Sequence, residues 1–126
     1  MKKIKKALIS VSDKHKLKSI LKVLKKFKIK IISSGGTYKK IKSLGYKSIE
    51  ISKFTNSPEI LKGRVKTLHP KIYAGILNKR DSVLHSKDLR VNNFENIDLV
   101  IVNFYPFERI LKTTNDHNKI IENIDV

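Results

Sequence analysis

Over its first fifty residues the chain alternates short β-branched apolar runs with lysine-faced helical repeats, and this constrains its fold more than any other feature. Ala7-Leu8-Ile9-Ser10-Val11, bounded by lysines before and Ser12-Asp13 after, has the pattern of a buried strand. From Lys16 to Phe27, apolar Leu17, Ile20, Leu21, Val23, Leu24 and Phe27 recur at three- and four-residue steps. That spacing predicts an amphipathic helix with lysines outward, and Asp13 is placed to cap it. Ile29 to Ser33 reads as a second strand, Tyr38 to Leu44 as a helix stopped by Gly45, and Lys47 to Ile51 as a third strand. The order β-α-β-α-β predicts an α/β fold, a doubly wound, mostly parallel sheet flanked by helices, with right-handed crossovers.

Further along, Phe54 to Thr67 is turn-rich, with a short helix expected at Pro58 to Leu61. His69 to Lys79 reads as a helix that tolerates Pro70 in its first turn. Residues 80–96 are polar and expected to be the most mobile stretch. Ile97 to Asn103 is the clearest strand, and helices are expected over Phe107 to Lys112 and Asn118 to Asn123. A length of 126 residues without repeat or linker predicts a single domain, 1–126.

The net charge of +17 raises the question of nucleic acid. Only Arg64, Arg80, Arg90 and Arg109 are arginine among the 28 basic residues, and 18 Ile and 9 Asn accompany the 24 lysines. Lys, Ile and Asn share adenine- and thymine-rich codons, so a biased genome accounts for the charge without a partner. The lysines are also spread along helix faces rather than gathered in one tract. An affinity for phosphorylated small molecules is the expectation, with no nucleic-acid role. The chain has no Cys, which fits a reducing compartment, and its short basic start is followed by too brief an apolar run for a signal peptide. No window is long and apolar enough for a membrane span, and a cytoplasmic location is expected. His15, His69, His85 and His117 show no metal-ligand spacing and there is no Cys, so no metal is expected.

Ligands of open α/β sheets bind beyond the carboxyl ends of the strands. Three polar segments fall there: Ser10 to Lys14, Ser33 to Thr37, and Asn103-Phe104-Tyr105. Gly35-Gly36 lets the backbone approach an anion at a helix N-terminus, Ser34 and Thr37 add hydroxyls, and Lys14 adds a point charge. Taken alone, such a turn is equally a plain strand-to-helix connection. The stretch Gly63 to Pro70 packs Arg64, Lys66, Thr67 and His69 into six positions. It reads either as a solvated basic loop or as a set that grips a phosphate or polarised carbonyl and stabilises an oxyanion.

These motifs carry a resemblance. Leu8-Ile9-Ser10-Val11-Ser12-Asp13-Lys14, Ser34-Gly35-Gly36-Thr37, Pro58 to Pro70 with its Arg64-Val65-Lys66-Thr67-Leu68-His69-Pro70 string, and Asn103-Phe104-Tyr105-Pro106-Phe107 stand in family order. They resemble the N-terminal domain of the bifunctional purine-biosynthesis enzyme that joins AICAR formyltransferase to IMP cyclohydrolase. The tail Ile121 to Asp125 is similar too. The resemblance implies the methylglyoxal-synthase-like fold. It also implies ring closure of 5-formamido-imidazole-4-carboxamide ribotide to IMP with loss of water, without metal or cofactor. On that basis Ser12, Asp13, Lys14, Ser34, Gly35, Gly36 and Thr37 hold the ribose phosphate, and Arg64, Thr67, Asn103 and Val126 complete the substrate site. Lys66 is the electrophilic stabiliser, Tyr105 assists it, and Asp125 orients the carboxamide nitrogen or accepts its proton.

The sequence also departs from the family pattern. Asn56-Ser57 stands where Gly-Phe is usual. Family members continue past Asp125 with a glycine pair and a helix bearing another catalytic lysine. The chain is therefore read as truncated, without the transformylase domain, and its homodimer as an open expectation. The alternatives are a purine-nucleotide-binding module without turnover, a fragment, or a methylglyoxal synthase. The last needs a pocket carboxylate, for which Asp13 and Asp98 are the candidates.

Overall fold

A computed structural model describes residues 3–104 and 106–122. Its four strands are β1 (Lys6–Ser10), β2 (Lys30–Ser33), β3 (Ile49–Glu50) and β4 (Leu99–Val102). All pair in parallel in the order β3-β2-β1-β4, with Ala7 opposite both Ile31 and Leu99. Successive side chains on a strand point to opposite faces, and here both faces are covered. On one, Ala7, Ile9 and Ile31 pack with Leu17, Leu21 and Leu24 of α1 (Leu17–Lys26) and Ile41 of α2 (Gly35–Ser43). On the other, Leu8 and Ile32 pack with Ile51 and Phe54 of α3 (Ile51–Thr55), Ile72 of α4 (Pro70–Leu77) and Ile97. The remaining helices are α5 (Val83–Val91), α6 (Phe107–Thr113) and α7 (His117–Glu122). The doubly wound parallel sheet read from the sequence is the fold observed. Among the described residues no helix is long and apolar enough to cross a membrane.

Local boundaries differ for physical reasons. Asp13 does not cap α1; it accepts from the His15 amide at 3.0 Å within the loop, and Lys16 fills the N-cap position without a side-chain bond. The second helix begins at Gly35 rather than Tyr38, so the glycine pair forms its first turn. Gly45, at φ +83°, ends it as expected. The third strand is only two residues long, because Ile51 already belongs to α3. In place of a helix at Pro58 to Leu61 there is a 3-10 turn at Leu61–Gly63, framed by an antiparallel bridge between Ile60 and Val65. Residues 80–96 contain α5, capped by the Ser82 hydroxyl accepting from the His85 amide and anchored by buried Leu89.

Candidate functional site

The strand order reverses between β1 and β4: the chain runs β1, β2, β3 outward to one side and then returns to place β4 on the other. Crevices form at such switch points, beyond the strands' carboxyl ends. A cleft of about 890 Å³ lies there, lined by the β1–α1 loop, the start of α2, Lys66 and Thr67, α4, and the segment after β4.

The Asn103 carboxamide ties β4 to the β1–α1 loop. Its Oδ1 accepts from the Ser12 amide at 2.7 Å and the Asp13 amide at 3.4 Å, while Nδ2 donates to the Asp13 carbonyl at 2.9 Å. Lys14 folds back over the same loop, its Nζ donating to the carbonyls of Val11 and Ser12 at 3.0 Å each. That ammonium lies 3.8 Å from where a Cβ on Gly36 would sit, so a fixed positive charge borders the first turn of α2. Thr37 is buried and couples the two turns, with Oγ1 accepting from the Val11 amide and donating to its carbonyl, both at 3.1 Å. Ser34 is also buried, its hydroxyl 3.1 Å from that of Ser10.

Ser34 occupies the N-cap position of α2 but its side chain makes no capping bond. The Thr37 amide already donates to the Ser34 carbonyl at 3.0 Å, which leaves the Gly35 and Gly36 amides of the first turn to face an anion beside Lys14. Gly35 has φ +46°, a conformation that would strain other residues, although nothing lies within 4 Å of an added Cβ. Conformation, rather than room, requires glycine there.

The cleft therefore brings together Ser12, Lys14, Ser34, Gly36, Thr37, Lys66, Thr67 and Asn103 of the residues expected from the sequence. Gly35 shapes the turn without lining the cleft. Asp13 does not line it either. Its carboxylate meets the His15 ring at 2.8 Å, and the His15 amide and ring together hold its pKa below the usual carboxylate value. Arg64 is exposed on the neighbouring loop and is not among the lining residues. Tyr105, Asp125 and Val126 fall outside the described residues. His69 caps α4, with Nδ1 accepting from the Lys71 amide at 3.1 Å.

Asp98, a sequence candidate for a pocket carboxylate, lies at the other end of the sheet. It accepts from the Lys5 and Lys6 amides at 2.9 and 3.2 Å. Among the described residues the carboxylate that lines the cleft is Glu108 on α6, which the sequence reading passed over. Tyr73 and Ile76 were also missed. They are three apart on α4, whose Ile72 and Gly75 are buried, so helical periodicity from Pro70 onward carried the signal. Among the described residues no three His, Cys, Asp or Glu side chains are grouped to hold a metal ion.

A parallel sheet covered on both faces, with a cleft at its switch point, defines an open α/β protein. The profile of the MGS-like domain matches residues 16–126, and the chain belongs to that family. It is 50% identical over 121 residues to the bifunctional purine biosynthesis protein PurH of Prochlorococcus marinus strain MIT 9301, covering 95% of this chain and 23% of that protein. It is 50% identical over 124 residues to PurH of Acetivibrio thermocellus, covering 98% of this chain and 24% of that protein. The chain thus spans about a quarter of the length of these relatives. A crystal structure of ForH matches with a TM-score of 0.80 at 26% identity, covering 98% of this chain and 63% of that one.

Proposed function

We propose that this chain binds a phosphorylated purine ribotide in the switch-point cleft and carries the IMP cyclohydrolase step of purine biosynthesis. The observation that supports it best is one cleft lined both by the Lys14–Gly36 corner and by Lys66 and Thr67. The corner offers open helix amides and a fixed ammonium, which suit a phosphate dianion. Lys66 comes from a different loop, and in this reading it serves the base rather than the phosphate of such a ligand.

In the reaction the carboxamide nitrogen attacks the formyl carbon, a C–N bond forms, and the carbonyl oxygen becomes a tetrahedral oxyanion. That oxygen takes up one proton from the carboxamide nitrogen and one from the formamido nitrogen, the C–O bond breaks, water leaves, and the C=N bond of the closed ring forms. Lys66 stabilises the oxyanion as its charge develops, and the cleft holds the formyl group against the carboxamide. By the family resemblance alone, Tyr105 assists Lys66, and Asp125 orients the carboxamide nitrogen or accepts its proton. Asn103 contacts the ligand with at most one free N–H, because the rest of its carboxamide holds the Ser12-Asp13 loop. Under this reading the protein works in the cytoplasm.

The test is incubation of pure protein with the formylated ribotide while following IMP absorbance. The expected result is turnover that Lys66→Ala lowers by about a hundredfold or more, the size of losing one oxyanion donor. A chain that gives no IMP contradicts the enzymatic assignment. A second reading is ribotide binding without turnover, for which the Lys14–Gly36 corner of the cleft would serve equally. Calorimetry would then show IMP binding weakened by Lys14→Ala with no activity.

A further inference from the structure

The cleft is lined by residues of different chemistry. Besides the Lys14–Gly36 corner, Tyr73 and Ile76 of α4 line it, one helical turn apart. Tyr73 is 45% exposed, and among the described residues its hydroxyl makes no hydrogen bond. The side chain is thus only part-covered and is not engaged through its polar end.

Its backbone, by contrast, is tightly fixed. Ile72, the neighbour of Tyr73, is buried in the second core, and a Cβ on Gly75 would stand 2.8 Å from the Glu95 carbonyl. The Gly75 carbonyl accepts from the Ile97 amide at 2.9 Å and from Arg80 Nη2 at 3.2 Å. Helix α4 is therefore held against the segment entering β4, and Tyr73 is presented to the cleft from a rigid support. An aromatic ring on a rigid support, in one cleft with a phosphate corner, suits a flat ring carried on a sugar phosphate.

We propose that Tyr73 is the stacking platform for the heterocycle of the bound ribotide, and that it gives the cleft its preference for a base-bearing ribotide over a bare sugar phosphate. This rests on the ribotide reading above and goes further by assigning a specificity-determining residue. The contact is through the ring face, since every base or imidazole presents a π-face and the hydroxyl is not required for it.

The experiment is calorimetry of the full chain and of Tyr73→Ala and Tyr73→Phe with two probes, IMP and ribose 5-phosphate. Removing an aromatic platform weakens a base by about tenfold, or about 1.4 kcal/mol. Tyr73→Ala is expected to show that loss for IMP while binding ribose 5-phosphate within about twofold of the parent. Tyr73→Phe is expected to bind both as the parent does. Retained ribose 5-phosphate binding also reports that the variant is folded. Unchanged IMP binding by Tyr73→Ala, equal losses for both probes, or a loss in Tyr73→Phe matching that in Tyr73→Ala would each overturn the assignment of Tyr73. Failure of the parent chain to bind either probe would instead overturn the ribotide reading on which it stands.

Discussion

Two side chains do long-range work that no local motif announces. Asn103 joins β4 to a loop some ninety residues earlier by three hydrogen bonds, and its removal leaves the Ser12 and Asp13 amides without their partner. Asn103→Ala is expected to lower stability by about 1 kcal/mol in urea unfolding and to weaken IMP binding in parallel. Lys6 is 6% exposed at the start of β1, paired with Glu95 and with its ammonium 5.4 Å from the centre of the Phe54 ring. Removing one partner of a buried charge costs more than the pair contributes, so Glu95→Gln is expected to lose about 1–3 kcal/mol near neutral pH. The Lys6 hydrogen bond also holds the Glu95 carboxyl below its ordinary pKa. A depressed folded pKa gives stability that is present above the unfolded value and lost as pH falls through the folded one. Between about pH 7 and pH 3, Glu95→Gln should therefore lose less stability than the parent in matched urea titrations.

Elements were legible where a periodic apolar face existed. Leu17, Leu21 and Leu24 announce α1 because all three are buried at helical spacing. The five-residue α3 is too short to show a period, and its Ile51 and Phe54 pass for a strand end and a loop. In α5 only Leu89 is buried, while Val83, Leu84 and Val91 are exposed, so its apolar residues form no single stripe. Helix α4 is the element on which the cleft depends most. Gly75→Ala would force its Cβ to 2.8 Å from backbone oxygen and 3.0 Å from Ile97 Cγ1. A loss of about 1–3 kcal/mol is expected, together with weaker IMP binding as Tyr73 and Lys66 move. Unfolding and calorimetry on the same variant check both halves.

At the scale of the whole molecule, alternating strands and helices gave away the parallel sheet, and the polar strand ends gave away the position of the cleft. What stayed hidden was how each polar group is used. Thr37 and Ser34 fit a phosphate motif by sequence, yet both are buried and bonded within the protein. Asp13 fits the same motif, yet it pairs with His15 away from the cleft. The Ser34 and Thr37 contacts join segments 24 and 26 residues apart, which no spacing encodes, whereas the Asp13 contact is a local turn. The net charge of +17 acts at this scale too, drawing anions toward the cleft over distances set by ionic strength. IMP affinity is expected to fall several-fold as salt rises from about 0.05 to 0.5 M, as calorimetry across a salt series would show.

The central claim is that one cleft holds a ribotide by its phosphate at Lys14 and by its base near Lys66. The most direct measurement is titration of the pure chain with IMP, repeated with Lys14→Ala and Lys66→Ala. Saturable one-to-one binding, weakened about tenfold or more by each substitution, is the expected result. Absence of saturable binding, or affinity unchanged in both variants, would contradict it.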